Sequence, residues 1–313
     1  MIDAQIRFRH LRCFLETARL GSLSNAAEAL HVSQPAASKT IKELEEILDV
    51  ALFDRTGRRL VLTRAGKLYQ QYAGAALIDL GRAQDLLREM PGQKSKIAVG
   101  VLPTAATELL PLASLAFQPL QPDCLIRVST GPNWLLLSQL REGTLDMVVG
   151  RMAQGGTMDG LSFRQLYSER VVPVVRPDHP LNRPDWSPAD LANYPMMLPP
   201  SGAVISPMVR AYLHNIGISN PDPEFENVSL AFGRSVVQQS DTVWFISQGV
   251  VRTDIATGAL AELPLQDVMM GGPVGVSMRE SALITPEQRL LLECLVTAAS
   301  DIHRKATTQK RPT

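Results

Sequence analysis

Residues 22–48 carry polar side chains in a pattern that suits contact with double-stranded DNA. Ser33 is placed to cap a helix, and Pro35 follows in the first turn, where its missing N–H costs nothing. The exposed face of that helix would hold Gln34, Ser38, Lys39 and Lys42. A glutamine can bond two atoms of one base edge in the major groove, and a lysine can meet a phosphate. This face therefore predicts a helix that reads DNA.

Two short helices would position these side chains. Ser22 predicts the start of the first helix, and His31 and Val32 mark the break before the second. The second helix would bury an apolar stripe formed by Ala37, Ile41, Leu44 and Leu48. Periodicity alone would fit a helix pair in an ordinary core equally well.

The stretch after the helix pair favours the DNA-binding interpretation. Residues 52–67 are typical of a strand, a turn, a second strand and a helix start, and five basic residues but no acidic one lie between 55 and 67. Arg55 and Arg58 belong to this basic turn, which would form the wing. A helix pair followed by a basic hairpin predicts a winged helix-turn-helix in residues 1–63.

Residues 8–20 predict a further helix that packs beneath the pair. Its apolar face would consist of Phe8, Leu11, Phe14, Leu15 and Ala18. His10 falls on the opposite, solvent side of this helix, and we assign it no role.

Residues 64–92 predict a long helix that pairs two copies of the chain, with Pro91 and Gly92 as its stop and 92–95 as a hinge. Apolar positions recur at steps of three and four, close to coiled-coil spacing, at Ala65, Tyr69, Tyr72, Ala76, Leu80, Ala83 and Leu87. A single amphipathic helix within one domain is the alternative. We expect a dimer because a helix-turn-helix gains specificity from two copies on two half-sites.

Length, charge and composition fit a soluble protein of two or three domains. The formal net charge is +0, but residues 1–67 hold eleven Lys and Arg against eight Asp and Glu, an excess of 11 − 8 = +3. The cysteines, Cys13, Cys124 and Cys294, are far apart, which indicates reduced thiols rather than disulfides or metal ligands. We find no signal peptide and no membrane span, and expect a cytoplasmic protein.

From residue 96 the pattern changes to strands alternating with helices, which predicts an α/β fold with parallel strands. Two crossings, near 170 and 270, divide residues 96–305 into lobe I (96–170 and 272–305) and lobe II (171–271). Small molecules usually bind in the cleft between such lobes. Residues 306–313 form a polar tail that we expect to be disordered.

Signatures of enzymes are absent from the sequence. It contains no G-x-S-x-G, H-E-x-x-H, Walker or G-x-G-x-x-G motif, and its five histidines show no metal-ligand spacing. We therefore expect no catalytic residue, no cofactor and no metal.

Over nearly its full length the chain resembles the LysR-type transcriptional regulators. The segments that carry this resemblance are SLSNAAEALHVSQPAASKTIKELEEIL, LFDRTGRRLVLTRAG and LREGTLDMVVG. The resemblance implies a winged helix-turn-helix, a linker-helix dimer and a two-lobe effector domain like a periplasmic binding protein. It implies dimers that pair into tetramers on promoter DNA, with RNA polymerase as a further partner. The implied recognition residues are Ser33, Gln34, Pro35, Ser38 and Lys39, with Arg55 and Arg58 on the wing.

The resemblance also implies an effector between the lobes, near the starts of helices that follow strands. Free N–H groups there attract anions, so a small carboxylate would suit the site. The candidate residues are Thr104, Gly131, Asn133, Arg151, Ser201, Gly202, Ser229 and Phe245. Thr104, Asn133 and Ser201 could equally be plain helix caps, and Arg151 could pair with a carboxylate of the protein.

Within the family, segments such as TGPNWLLLSQL and VWFISQGVV resemble the subgroup that controls the protocatechuate-degradation operon. Products of aromatic ring cleavage carry two or three carboxylates, which fits the anion sites. A neighbouring subgroup regulates sugar uptake, and that is the alternative function. A small-molecule binding module without a regulatory role would leave the N-terminal unit unexplained.

Overall fold

The computed structural model describes residues 3–54, 60–88, 95–152, 158–265, 270–280 and 283–308. The chain divides into two compact units, residues 1–92 and residues 93–313. Within the described residues, no helix is both long enough and apolar enough to cross a membrane.

The N-terminal unit is a bundle of helices with a small hairpin. Its elements are α1 (Phe8–Leu20), α2 (Leu23–Ala29), α3 (Gln34–Leu48), β1 (Phe53–Asp54), β2 (Val61–Leu62) and α4 (Arg64–Arg88). Strands β1 and β2 pair antiparallel, with Phe53 opposite Leu62. This order confirms the predicted helix pair, hairpin and helix start. The turn of the hairpin, with Arg55 and Arg58, lies outside the described residues.

Side-chain caps define the helix pair as the sequence predicts. The Ser22 hydroxyl accepts a hydrogen bond from the Asn25 N–H at 3.3 Å, and the Ser33 hydroxyl accepts one from the Ala36 N–H at 3.4 Å. Between the helices His31 has a φ of 57°, the left-handed conformation that breaks a helix. Each cap satisfies an N–H that the first helical turn leaves free.

The core of this unit forms around Phe14, which is fully buried. Its ring lies 5.4 Å from that of Phe53 and 5.2 Å from that of Tyr69, measured between centroids. These contacts join α1 to the hairpin and to α4. The predicted stripe on α3 is confirmed, because Ala37, Ile41 and Leu44 are buried and Leu48 is half-buried.

Two predictions for α1 were wrong. Phe8 is 55% exposed, since it is the first residue of the helix and has no preceding turn to pack against. His10 is buried, not on the surface. Its Nδ1 accepts the Arg7 N–H at 3.1 Å, and its Nε2 lies 3.3 Å from a carboxylate oxygen of Glu43. This histidine therefore caps α1 and contacts α3.

Helix α4 leaves part of its apolar seam in solvent. Tyr69 is half-buried in the unit's core, whereas Tyr72 and Leu80 are 60% and 53% exposed and Ala76 is also exposed. The side chains of Ala83 and Leu87, the predicted stop and hinge residues 92–94 lie outside the described part of the chain, and the last hinge residue, Ser95, begins a strand. An open apolar stripe is what a helix-paired dimer would cover, and the dimer stays a prediction.

The C-terminal unit is a two-lobe α/β fold. Its strands are β3 (Ser95–Val101), β4 (Cys124–Thr130), β5 (Met147–Arg151), β6 (Leu161–Val175), β7 (Met196–Leu198), β8 (Phe225–Glu226), β9 (Val243–Ser247), β10 (Ala261–Glu262) and β11 (Gly271–Arg279). Its helices are α5 (Pro103–Ala106), α6 (Leu109–Phe117), α7 (Asn133–Arg141), α8 (Ser206–Asn215), α9 (Leu230–Gln239), α10 (Gln248–Ala256) and α11 (Pro286–Thr308).

The strands pair in the order β4-β3-β5-β11-β6-β9-β7-β8, and β10 pairs with β6. Pairing is parallel from β3 to β4 and β5, and from β7 to β8 and β9, as predicted. Strand β6 carries the chain from lobe I to lobe II and β11 carries it back, so these two strands are antiparallel to each other. Strand β11 is also antiparallel to β5, and β6 to β9. The sheet is therefore mixed rather than wholly parallel.

Strand β6 extends through both lobes. It pairs with β11 from Leu161 to Arg170 and with β9 from Val171 to Val174. We use lobe I for β3–β5, α5–α7, α11 and the first part of β6, and lobe II for the elements from the end of β6 to β10.

The helices differ from the sequence predictions at two places. The stretch 104–117, expected as one helix, is divided between α5 and α6. Pro111 explains the break, because it has no N–H to donate to the carbonyl of Thr107 four residues earlier. Helix α11 continues to Thr308, so the predicted disordered tail does not begin at 306. Residues 309–313 lie outside the described residues.

The contact between α4 and the hairpin can be tested with two glycines of the same helix. A Cβ at Gly66 would overlap the Leu52 carbonyl oxygen, whereas a Cβ at Gly81 would meet no atom of the described residues within 4 Å. We expect Gly66→Ala to lower the free energy of unfolding by roughly 1–3 kcal/mol or more, from overpacking. Gly81→Ala should raise it by about 0.5–1 kcal/mol, because alanine favours helix. Urea unfolding followed by circular dichroism measures both, and equal effects would contradict the contact.

Candidate functional site

The first candidate surface is the exposed face of α3. Gln34 is the first residue of the helix, and the Ser33 cap beside it is exposed. Among the predicted contact residues, Pro35 is exposed, Ser38 is half-buried, and the side chains of Lys39 and Lys42 are 79% and 73% exposed. The helix thus presents its N-terminal turn and two lysines to solvent while its opposite face is in the core.

Each lysine of this face lies near a glutamate one turn later. Lys39 Nζ is 4.0 Å from Glu43, and Lys42 Nζ is 3.5 Å from Glu46. Such exposed pairs are weak in water, so a phosphate can replace either glutamate as the lysine's partner. Arg9 from α1 also contacts Glu43, at 3.0 Å.

The second candidate site is a cleft of about 660 Å³ between lobes I and II. It is lined by side chains that end strands and begin helices in both lobes. Seven of the eight predicted effector residues lie on its wall: Thr104, Gly131, Asn133, Arg151, Gly202, Ser229 and Phe245. Ser201 is an exposed turn residue next to Gly202 and is not part of the wall. Their role in binding an effector stays a prediction.

The floor of the cleft is polar and buried. Arg151 is 4% exposed and Thr104 is 7% exposed. The Thr104 hydroxyl lies 3.2 Å from the Ser247 hydroxyl, which also accepts a hydrogen bond from Arg151 Nη2 at 3.2 Å. Both Nη atoms of Arg151 donate to the Glu169 carbonyl oxygen at 3.2 Å, whereas Nε has no hydrogen-bond partner among the described residues. Burial lowers the pKa of Arg151, and the nearby Glu169 charge opposes this effect.

Sequence reasoning did not identify Ser247. It is the last residue of β9 and directly precedes α10, so it occupies the same kind of strand-to-helix junction as Thr104. The junction between a buried strand and a helix was the sequence signal that could have identified Ser247.

Beside the floor, Glu169 of β6 is a buried carboxylate that sequence reasoning also missed. Its Oε1 accepts the Gly249 N–H at 2.8 Å, and Arg252 Nη2 is 3.9 Å away. Within the part of the chain that the structure describes, its Oε2 has no hydrogen-bond partner. Burial raises the pKa of Glu169 to about 7, and Arg151 and the Gly249 N–H partly oppose that rise. A Cβ at Gly249 would overlap Oε1, so any larger residue there would require the Glu169 carboxylate to shift.

The cap interpretation does not hold for Thr104, Asn133 or Ser201, since the residue that caps α8 after Ser201 is Ile205. A different predicted residue, Ser229, is a cap. The Ser229 hydroxyl accepts the Phe232 N–H at 3.4 Å and therefore caps α9. Asn133 is the first residue of α7, which has no side-chain cap, and Thr104 lies inside α5. The Thr104 hydroxyl bonds across to lobe II instead.

Comparison with known proteins identifies both units. Residues 8–67 match the bacterial regulatory helix-turn-helix protein model of the lysR family, and residues 91–300 match the LysR substrate binding domain. The chain belongs to the LysR family of transcriptional regulators. The predicted winged helix-turn-helix and two-lobe effector domain of this LysR-type regulator are thereby confirmed.

Among curated relatives, the LysR-type chain is 41% identical to the HTH-type transcriptional regulator PcaQ of Agrobacterium fabrum over 304 residues, covering 96% of this chain and 98% of PcaQ. It is 31% identical to the uncharacterized regulator YdcI of Escherichia coli, covering 94% and 96%. These relatives are regulators, as the absence of enzyme signatures led us to expect.

Solved structures of similar fold include an H2O2-bound OxyR mutant from Corynebacterium glutamicum, with a TM-score of 0.56, 22% identity and coverage of 98% and 99% of the two chains. A point mutant of full-length BenM has a TM-score of 0.56, 23% identity and coverage of 95% and 97%. The similarity extends over both units of this LysR-type protein.

The raised pKa of Glu169 gives a testable pH dependence. Its pKa of about 7 lies above the ordinary value of 4.5, so the native state binds more protons than the unfolded state between these values. Stability should therefore fall as pH rises through this window, by at most roughly 3 kcal/mol. Glu169→Gln removes this titration. The melting temperature of the variant, relative to that of the wild type, should therefore rise as the pH is raised from 5 to 8.

Differential scanning fluorimetry across that pH range measures the difference between the two proteins. Leu115→Ala is the control, because this exposed side chain of α6 carries no titrating group. A Glu169→Gln difference that stays constant from pH 5 to pH 8 would show that the buried carboxyl does not titrate there.

Proposed function

We propose that this LysR-type regulator binds promoter DNA through α3 and its basic wing, and that a small carboxylate in the cleft alters the binding. The observation that carries the DNA proposal is the exposed face of α3. A recognition helix contacts base edges with its N-terminal residues, and Gln34 begins α3 as an exposed residue. Lys39, Lys42 and the wing arginines Arg55 and Arg58 would meet phosphates, a contact that weakens as salt rises.

The exposed stripe of α4 supports dimers, which would pair into tetramers on the promoter. Tyr72, Ala76 and Leu80 lie on the helix face that the core of the N-terminal unit leaves open. Two copies would place two recognition helices on two half-sites. A DNA-bound assembly of this kind in the cytoplasm could then act on transcription by contacting RNA polymerase.

The chemistry of the cleft supports a carboxylate effector. Arg151 supplies a positive charge at its floor, and the hydroxyls of Thr104 and Ser247 supply hydrogen-bond donors. The likeness to PcaQ supports a role in aromatic catabolism through protocatechuate. A sugar effector, the alternative, would need many polar side chains around its hydroxyls, and proline, tryptophan and phenylalanine occupy much of this wall.

A substitution of Gln34 tests base recognition. Gln34→Ala should lose about 1–3 kcal/mol of discrimination at one base position, because one bidentate contact is removed. Lys42→Ala should instead weaken binding to all sequences and reduce the salt dependence. Selection from random duplexes, followed by gel-shift titration at several salt concentrations, separates the two effects. If Gln34→Ala weakens all duplexes alike, this glutamine does not read a base.

A substitution of Thr104 tests the cleft. Thr104→Val keeps the shape of a buried side chain but removes the hydroxyl that bonds Ser247. We expect the variant to bind its operator normally and to lose the effector response, since the hydroxyl would hold the ligand. Gel shifts with and without effector measure this, and Thr107→Val of the same segment is the control. An undiminished response would place the effector elsewhere.

The effector itself can be sought with a thermal-shift screen of aromatic acids and their ring-cleavage products on the full chain. A ligand at 100 times its dissociation constant stabilises the native state by about 2.7 kcal/mol, which such a screen detects. A response to sugars alone would favour the alternative function.

A further inference from the structure

Charge is distributed very unevenly along the wall of the cleft. Arg151 is the single charged side chain among the described residues that line it, and it lies at the floor. The remaining lining side chains are apolar or neutral. A ligand that fits this wall has one anionic end for the floor and an uncharged body for the rest.

The mouth of the cleft carries two large exposed apolar side chains, one from each lobe. Trp134 of lobe I is 64% exposed, and Val228 of lobe II is 62% exposed, yet both line the same cleft as the buried Arg151. Trp244 and Phe245, which are each 1% exposed, complete the inner wall. From floor to mouth the cleft therefore passes from a buried cation to an open indole ring.

The core of lobe I does not account for Trp134. Helix α7 buries Leu136, Leu137 and Leu140, and the indole lies outside that apolar face. An aromatic ring of this size leaves a large apolar area in water, and covering it is favourable. A ligand held in the cleft is placed to cover it.

We propose that Trp134 determines specificity, selecting a carboxylate with a planar unsaturated or aromatic body. The carboxylate lies at Arg151, Thr104 and Ser247, and the planar body extends to the mouth against the indole ring. This inference rests on the proposed function and names the class of ligand that the cleft accepts. Planar rings gain from offset or edge-to-face contact with an indole beyond the area they bury, which a puckered ring of equal size does not.

Three simple probes test the two halves of the proposal by calorimetry on the full-length chain without DNA. Benzoate has the charge and the planar ring, cyclohexanecarboxylate has the charge and a puckered ring, and benzamide has the planar ring without the charge. We expect benzoate to bind most tightly, and each of the other two to bind roughly tenfold more weakly.

Variants then assign the selectivity to the indole. Trp134→Ala should weaken benzoate binding roughly tenfold. The affinity of the variant for cyclohexanecarboxylate should stay within about threefold of the wild-type value, so the preference for the planar ring disappears. Trp134→Phe keeps an aromatic face and should retain most of the preference. Leu115→Ala is the matched control, because this side chain of α6 is 69% exposed and does not line the cleft.

Fluorescence provides a second readout. The chain has three tryptophans, and Trp134 is the one exposed at the cleft mouth. Benzoate should change the emission of the wild type, and Trp134→Phe should remove most of that change while calorimetry still shows binding.

The proposal is overturned if none of the probes binds saturably, if benzamide matches benzoate, or if Trp134→Ala weakens both acids equally. Its failure can be told apart from failure of the proposed function. Selective binding of benzoate with no change in operator binding would contradict the regulatory role alone. If operator binding responds to acids but the Trp134 variants keep the wild-type preference for a planar ring, this inference alone is contradicted.

Discussion

A buried guanidinium is the feature on which the effector domain depends. Arg151 at the end of β5 reaches the backbone of β6 through the Glu169 carbonyl and the end of β9 through Ser247. One side chain thus joins a strand of lobe I, the strand shared by both lobes and a strand of lobe II. Burying a charge is costly, and the hydrogen bonds made by the two Nη atoms offset part of that cost, so they favour the observed arrangement of the three strands.

The two units separate packing from recognition in different ways. In the N-terminal unit one helix does both, because the buried stripe of α3 holds it in place while the opposite face is free to contact DNA. In the C-terminal unit the strands form the core, and the chemistry lies at their ends, where helices begin. Ser247 and Arg151 both terminate strands that are buried along their length.

Local patterns made much of this structure predictable. Ser22 and Ser33 cap helices through bonds only three residues long, and the cleft residues follow from the ends of apolar strands. The errors came from partners distant in sequence. His10 is buried where its ring contacts the carboxylate of Glu43, 33 residues later. The Glu169 carboxylate accepts a hydrogen bond from the Gly249 N–H, 80 residues away. Neither pairing leaves a periodic trace in the chain, so neither could be inferred before the fold was known.

The glutamates beside the lysines of α3 have a consequence for how the protein searches a genome. When Lys39 or Lys42 turns to a phosphate, Glu43 or Glu46 is left as an unneutralised negative charge close to the polyanion. That repulsion is the same at every site, so it lowers the residence time on random sequence as much as on the operator. In the proposed DNA complex, a site whose bases bond Gln34 and its neighbours would compensate for this repulsion. Because the formal net charge of the chain is +0, this local balance on α3 would weigh more in the proposed complex than attraction by the charge of the whole protein.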